Sequence, residues 1–330
     1  MLARVAKRKL LEGVAYTYNW TSIVGALEGV MRYLGQDYPT AYLMGLSGHA
    51  FRLDISADDG AAIGPKGPTC IDYNHALRLY SGLGREFAAI SASQSDRDYE
   101  GARKRALEQI KKSIDRGVPA IAFDLHLPEF GIVVGFDDQQ RVLLVDTALR
   151  PQVGAVLPYD RWPTTDTGWL LALIPNPKAI AFDGARAERE ALRFAVAHAE
   201  EGEGGLAATG SYHGLAAWEF WASTLEGEAP ASAFGNAYTA QVVQAARRYA
   251  GQFLRGMASK YPQAQELSAA AAAYQRAGLV LTRFATLFPF PQGGEIDNTG
   301  ARRLGAACLR GALAEEQTAI GAIKSILATI

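Results

Sequence analysis

The sequence has few cysteines and almost no net charge. Only two cysteines, Cys70 and Cys308, occur in 330 residues, and they stand in separate segments of different character. This excludes a disulfide framework and a cysteine-based metal site, so we expect a cytoplasmic protein that needs neither a metal nor a cofactor. The 33 basic and 34 acidic residues leave a formal charge of -1, which creates no field that would favour nucleic acid as a partner.

Long hydrophobic runs are also absent. The apolar runs, such as residues 169–174 and 269–273, are too short to cross a bilayer. The basic residues 4–9 lead into Glu12 and Gly13 instead of an apolar stretch, so we expect neither a signal peptide nor a membrane partner. What remains is a chain that is 49% hydrophobic and 20% charged, and its length favours two domains.

The first half mixes helical and strand-like segments, which is the pattern of an α+β domain. Apolar residues at three- and four-residue spacing predict a helix over residues 22–34, with Asn19 or Thr21 as its cap and Gly35 at its end. Two more helices are predicted over residues 74–80 and 99–115. Short aliphatic runs predict four strands of one mainly antiparallel sheet with both faces covered: residues 119–123, 131–136, 142–145 and 169–174.

The segment Pro175-Asn-Pro177 marks the predicted domain boundary, because neither proline can donate to a sheet ladder. We therefore predict an α+β domain over residues 1–176 and an α-helical bundle domain over residues 177–330. Helical periodicity in the second domain covers residues 187–199, 215–225, 236–259, 264–288 and 299 to the C-terminus.

Two segments of the first half resemble the C39-like branch of papain-type cysteine peptidases, and in particular the N-terminal domain of the butirosin biosynthesis protein H family. In that family a catalytic cysteine opens a helix that ends in a Tyr-Leu-Gly-like sequence, and a strand that begins with histidine leads into Gly-Tyr-Asp-Asp. Here the helix ends in Tyr33-Leu-Gly35 and the strand leads into Gly135-Phe-Asp-Asp138. The resemblance covers about residues 15–150 and implies a papain-like fold for the first domain.

Both catalytic positions of that family are substituted in this chain. Counting along the two motifs places Ser22 in the cysteine position and Glu129 in the histidine position, and the later acid falls at Asp146. A helix start and a neighbouring imidazolium bring a thiol into its working pKa range, but they do not do so for a serine hydroxyl. A conventional cysteine peptidase is therefore not expected.

Other residues are candidates for ligand binding. Asn19 and Trp20 directly precede the first helix, and His126 lies three residues before the substituted histidine position. A loop histidine with a satisfied hydrogen bond is the alternative interpretation of His126.

Three further candidates lie elsewhere in the chain. His49 stands in the glycine-flanked turn of residues 45–51, whose backbone N–H groups could bind an anion, although a structural turn is the simpler interpretation. Asn236, beside Gly235, is a natural cap for the long helix, and Tyr238 belongs to an aromatic group that could close a pocket against the first domain.

Two functions are compatible with these residues. The first is a small-molecule or acyl-group pocket between the domains, with Ser22 as nucleophile, Glu129 as base or orienting acid and Asp146 as third member. It would perform acyl transfer or amide hydrolysis, and the resemblance implies a small natural-product substrate. The alternative is a non-catalytic pseudoenzyme that binds a ligand or peptide, which the missing cysteine and histidine favour.

Overall fold

A computed structural model describes residues 7–56, 63–69, 71–201, 211–227 and 231–328 as an α+β protein. Its strands are β1 (Arg8–Leu10), β2 (Asp54–Ser56), β3 (Phe87–Ser93), β4 (Ala120–Phe123), β5 (Phe130–Asp137), β6 (Val142–Asp146), β7 (Val156–Pro158), β8 (Trp169–Pro175) and β9 (Ser211–His213). Its helices are α1 (Ser22–Tyr33), α2 (Thr40–Leu46), α3 (Tyr73–Ser81), α4 (Tyr99–Asp115), α5 (Arg150–Val153), α6 (Gly184–Glu201), α7 (Gly214–Glu226), α8 (Ala233–Lys260), α9 (Gln265–Leu287) and α10 (Thr299–Leu327).

The chain divides into two compact units, each built from two separate segments. The sheet unit comprises Met1–Tyr38 and Gly84–Phe182, and the helical unit comprises Pro39–Leu83 and Asp183–Ile330. This division differs from the predicted boundary after residue 176, because α2 packs on α8 and β2 pairs with β9. A proline pair marks the end of a strand, but it does not reveal that an earlier segment packs with later helices.

The sheet unit contains one antiparallel sheet with the strand order β3-β8-β4-β5-β6-β7, and β1 pairs with β5. The four predicted strands correspond to β4, β5, β6 and β8. Every residue of β4 and β5 is buried, and both α1 and α4 pack against β5, so the central strands are covered on both faces. This agrees with the prediction from their nearly continuous apolar sequences.

Gly135 allows β1 to join this sheet. A Cβ atom at Gly135 would lie 2.4 Å from the carbonyl oxygen of Lys9, the residue of β1 that pairs with Phe136. The register of β5 against β6 also shifts between Val133 and Gly135. The glycine of the Gly-Phe-Asp-Asp motif therefore has a packing role in the sheet.

The helical unit has an aromatic core to which α7, α8, α9 and α10 contribute. Trp218 and Trp221 of α7 lie in one buried cluster with Phe284 of α9 and with Phe288. The predicted helices of the second half correspond to α6–α10, but α8 begins earlier than predicted. The hydroxyl of Ser232 accepts the N–H of Gly235 at 2.9 Å, so Ser232 is the N-cap and Asn236 lies inside the first turn of α8.

No helix in the described ranges has both the length and the hydrophobicity that crossing a bilayer requires. Among the same residues, no group of histidine, cysteine, aspartate and glutamate side chains is arranged to hold a metal ion. Cys308 in α10 has a free thiol, and Cys70 lies outside the described residues.

Candidate functional site

Ser22 is the first residue of α1 and lies beside the start of β5. Its Oγ accepts a hydrogen bond from the backbone N–H of Phe130 at 3.1 Å. Because Phe130 directly follows Glu129, this bond makes the start of the first helix and the start of the middle strand neighbours. Ser22 is 7% exposed, so its hydroxyl lies in a contact between the two elements and does not line an open groove.

The chain before α1 packs closely along the helix because two glycines leave room for it. A Cβ atom at Gly25 would lie 2.2 Å from the carbonyl oxygen of Thr17, and one at Gly29 would lie 2.1 Å from that of Ala15. Residues four apart lie on the same face of a helix, so both glycines face the incoming segment. This packing fixes the position of Tyr16 against the first turn of α1.

Tyr16 connects the surroundings of Ser22 with those of Asp146. Its hydroxyl donates to the carbonyl oxygen of Ser22 at 3.2 Å, and its backbone N–H donates to Asp146 Oδ2 at 2.9 Å. Burial, and then the nearby carboxylate of Glu129, raise the pKa of the Tyr16 hydroxyl, so it remains a neutral donor. Tyr16 was not predicted from the sequence, where the glycines at a spacing of four are the only indication that a segment packs there.

Asp146, the last residue of β6, lies opposite Ile132 of β5. Its carboxylate accepts the Tyr16 amide and forms an ion pair with Arg150 Nη1 at 3.3 Å. The third member of a catalytic triad would accept a hydrogen bond from an imidazole. The described partners of Asp146 are instead a backbone amide and a guanidinium, so it supports the segment before α1.

The hairpin between β4 and β5 carries Glu129 and His126. The N–H of Asp124 donates to the Glu129 carbonyl at 2.9 Å, and the N–H of Glu129 donates to the Leu127 carbonyl at 2.7 Å, which makes the turn tight. His126 has a φ of 77°, and its buried Nε2 has no hydrogen-bond partner among the described residues. No described imidazole is hydrogen-bonded to Ser22.

Asp124 anchors this hairpin, and the sequence analysis did not identify it. Its fully buried carboxylate accepts hydrogen bonds from the Thr165 N–H at 3.0 Å and the Thr165 hydroxyl at 2.7 Å, and also from the Thr164 hydroxyl. Burying a carboxylate costs free energy unless hydrogen-bond donors surround it, and these donors supply that compensation. The threonine-rich sequence of residues 164–167 is a signal that could have indicated such a partner.

Tyr18, Trp20 and Glu129 form what we call the acidic aromatic patch. Tyr18 is 61% exposed, and its ring meets that of Trp20 edge-on with 6.1 Å between centroids. Burial, and then the carboxylate of Glu129, raise the pKa of the Tyr18 hydroxyl, which places negative charge near this ring.

Asn19, which lies between Tyr18 and Trp20 in the sequence, is buried, and its Oδ1 accepts the Thr21 N–H at 2.9 Å. Thr21, one of the two predicted caps, is the N-cap residue of α1, but its side chain makes no capping hydrogen bond.

His49, Asn236 and Tyr238 belong to the helical unit. His49 is 4% exposed, and its Nε2 lies 2.7 Å from the Tyr80 hydroxyl. Burial, and then the charge of Arg52, lower the pKa of His49, so the ring is neutral. The segment around it forms a turn with a φ of 79° at Gly48, which fits the simpler of its two interpretations.

The other two residues are also packed within the helical unit. Asn236 is fully buried and accepts a hydrogen bond from the Trp221 indole N–H at 2.7 Å. Tyr238 stacks on Phe234 with 6.2 Å between ring centroids. The buried Nδ2 of Asn236 has no hydrogen-bond partner among the described residues, and the predicted role of both residues in ligand binding stays a prediction.

Comparisons with protein-family models and with curated proteins give no match for this chain. The resemblance to the papain-type family therefore stays a prediction from two sequence motifs.

Proposed function

We propose that the sheet unit is a papain-like pseudoenzyme whose acidic aromatic patch binds a small cationic ligand without turning it over. The observation that carries this proposal is the hydrogen bond from the Phe130 N–H to Ser22 Oγ at 3.1 Å. This bond gives Ser22 a role in joining α1 to β5. A buried hydroxyl that joins two elements is a poor nucleophile unless a base takes its proton.

The absence of turnover is supported by the partners of the other two predicted catalytic residues. Asp146 is bonded to the Tyr16 amide and to Arg150, and no imidazole in the described residues is hydrogen-bonded to Ser22. Proton transfer from a serine needs a base within hydrogen-bond reach. The arrangement therefore favours binding over acyl transfer.

The chemistry of the ligand follows from the patch itself. Burial is the larger cause of the raised pKa of the Tyr16 and Tyr18 hydroxyls, and the nearby Glu129 carboxylate is the second cause. Aromatic faces beside a carboxylate attract an ammonium group through cation–π and charge interactions. A small amine with an apolar or aromatic body matches this combination.

The test is calorimetric titration with benzylamine and with benzyl alcohol, which share a ring but differ in charge. We expect benzylamine to bind about tenfold more tightly than benzyl alcohol, because one such charge interaction contributes roughly 1.4 kcal/mol. Glu129→Gln should abolish this preference. Glu12→Gln is the matched control, because Glu12 is an exposed carboxylate of the same unit.

Equal affinity for the two probes in the wild-type protein would refute the proposed ligand class. The Ser22→Ala variant should bind benzylamine as the wild type does, since the patch does not include the hydroxyl.

Acyl transfer by Ser22 is the second candidate function. One observation favours it, which is that Ser22 Oγ is bonded to the residue next to the predicted base Glu129. Turnover of acyl or amide substrates by the wild type, lost in Ser22→Ala, would establish this function in place of simple binding.

A further inference from the structure

The helical unit contains a buried aspartate–histidine pair, and both of its residues belong to that unit. Asp54 of β2 lies directly opposite His213 of β9, and the Asp54 Oδ1 to His213 Nδ1 distance is 2.6 Å. The two side chains are 2% and 8% exposed. The pair therefore lies in a region that is largely shielded from water.

The surroundings of Asp54 determine which residue of this pair carries the shared proton. Burial acts to raise the pKa of Asp54, but His198, the hydrogen bond from His213 and the charge of Arg52 together lower it below its usual value. Asp54 is therefore ionised and accepts a hydrogen bond from Nδ1–H of His213. In a neutral ring with the proton on Nδ1, the other nitrogen Nε2 is an acceptor.

His213 Nε2 has no hydrogen-bond partner in the described protein and is shielded from solvent. Unpartnered buried polar atoms are rare in folded proteins and call for an explanation. An imidazole that a carboxylate orients through Nδ1, with Nε2 left as an acceptor, is the arrangement of a general base. His198 differs, because its Nε2 already accepts the Leu53 N–H at 2.9 Å.

Ser211 is the nearest hydroxyl along the chain to this base. It precedes His213 by two residues in β9, so both side chains point to the same face of the two-stranded ladder. Ser211 pairs with Ser56, and Asp54 pairs with His213, so the acid also projects from that face. Ser211 is partly exposed, and its hydroxyl takes part in none of the hydrogen bonds found between side chains of the described residues.

Ser211 and His213 both line an open cavity of about 450 Å³ in the helical unit, together with Leu215 and Ala216 from the first turn of α7. The first N–H groups of a helix have no intrahelical acceptor, and no side chain caps α7. The helix can begin directly after the base because Gly214 has a φ of 56° and no Cβ, which would lie 2.1 Å from the His198 carbonyl oxygen. The N–H of Gly214 donates to the Leu53 carbonyl at 3.0 Å, so the amides of Leu215 and Ala216 are the ones that can stabilise negative charge on an oxygen.

We infer that Asp54, His213 and Ser211 form a second site that transfers acyl groups from small esters through an acyl-serine intermediate. Ser211 Oγ attacks the ester carbonyl carbon while His213 Nε2 takes the hydroxyl proton. The bond between the carbonyl carbon and the leaving oxygen then breaks, and the leaving alkoxide takes that proton from His213. Water attacks the acyl-serine in the second half of the reaction, which releases the acid and restores the serine.

The test uses diisopropyl fluorophosphate on the full-length protein, with the labelled peptide identified by mass spectrometry. Labelling forms the Ser211 Oγ–P bond, breaks the P–F bond, transfers the serine proton to His213 and releases fluoride. We expect a single label on Ser211 that is absent in Ser211→Ala. His213→Gln and Asp54→Asn should label at least about 10²-fold more slowly, which is the usual contribution of a positioned general base.

Two outcomes would overturn the inference. The first is that Ser211 of the wild-type protein is not labelled. The second is that the His213→Gln variant is labelled at the wild-type rate. The Ser22→Ala variant should label normally, and a label on Ser22 would contradict the proposed function of the sheet unit without bearing on Ser211.

The pH dependence of wild-type labelling keeps the inference testable if the variants do not fold. The titratable and charged groups around His213 are Asp54, His198, Arg52 and Glu200, and Glu200 is paired with Lys324 at 2.7 Å. Burial lowers the pKa of His198 to about 4, so His198 stays neutral over the range tested. We expect the labelling rate to be higher at about pH 9 than at about pH 5, because a general base has to be deprotonated to take the serine proton. A rate that is flat over this range would exclude His213 as the base.

Discussion

Arg247 and Glu316 form a buried ion pair in the helical unit. Arg247 Nε lies 2.6 Å from Glu316 Oε2, and the side chains are 1% and 3% exposed. Arg247 also donates to the carbonyl oxygens of Ala50 and Arg52, and the Tyr274 hydroxyl donates to Glu316. These bonds link α8, α9 and α10 to the segment that follows α2.

We predict that Arg247→Met destabilises the protein by about 3–5 kcal/mol, because it leaves a buried carboxylate without its cation. Burial already raises the pKa of Glu316, and Arg247 counteracts this effect. An acid whose pKa is higher in the folded state binds more protons when folded, so its contribution to stability falls as pH rises. The loss in Arg247→Met should therefore be larger at about pH 7 than at about pH 4, as measured by urea unfolding.

The control is Arg276→Met, because Arg276 of α9 pairs with Glu315 of α10 at 2.7 Å and both of these side chains are more exposed than those of the buried pair. An exposed ion pair contributes only about 0–1 kcal/mol. Similar losses in the two variants would show that the buried pair has no special role.

At the scale of single residues, the sequence motifs placed Ser22 at the start of a helix and Glu129 just before a strand, and the Phe130 N–H to Ser22 Oγ bond joins those two element starts. The motifs did not locate Tyr16 or Asp124. Tyr16 contacts Ser22 and Asp146 through its hydroxyl and backbone, and Asp124 contacts a loop forty residues further along the chain. Such long-range hydrogen bonds leave no periodic pattern in the sequence.

At the scale of elements, α1 depends on the close approach of the chain before it. We predict that Gly25→Ala destabilises the protein by about 1–3 kcal/mol, because the new Cβ would lie 2.2 Å from the Thr17 carbonyl oxygen and 2.7 Å from the Tyr16 ring. Thermal unfolding measures the change. The variant should also show greater exposure of Tyr16 in ultraviolet difference spectra.

Gly256→Ala is the matched control. Gly256 lies within α8, and a Cβ atom there would have open space around it. Alanine has a higher helix propensity than glycine, so this variant should gain about 0.5–1 kcal/mol. If both variants changed stability in the same direction, helix propensity and not packing would decide the effect at Gly25.

The elements predicted from sequence were helices with apolar residues at helical spacing and strands made of aliphatic runs. The strands β4, β5, β6 and β8 are aliphatic and were predicted, whereas β3 was not. Its sequence Phe-Ala-Ala-Ile-Ser-Ala-Ser is rich in alanine and serine, which have little preference for strands, so its pairing with β8 decides its structure. The start of α8 was placed late for a related reason, since Ser232 and Asn236 are both good caps and only the backbone distinguishes them.

At the scale of the whole molecule, the helical unit includes a segment that precedes most of the sheet unit in the chain. We predict that a fragment of residues 177–330, the domain expected from sequence, does not unfold cooperatively. It lacks the backbone acceptors of Arg247 at Ala50 and Arg52, and it lacks the core residues Leu53 and Ile55. Circular dichroism during urea titration measures the cooperativity.

The matched protein joins residues 39–83 to residues 183–330 through a glycine–serine linker. It contains both segments of the helical unit, so it should show a sharp unfolding transition. A transition of equal sharpness in the shorter fragment would mean that the first segment is dispensable for folding.

The division of the helical unit into two distant segments also has a consequence for biosynthesis. A ribosome releases residues 39–83 before the whole of the second sheet-unit segment and before α6–α10. The nascent chain can therefore complete the sheet unit while β2 and the apolar side chains around it still have no partner. We expect the helical unit to assemble only when α10 leaves the exit tunnel, so this unit folds after the sheet unit.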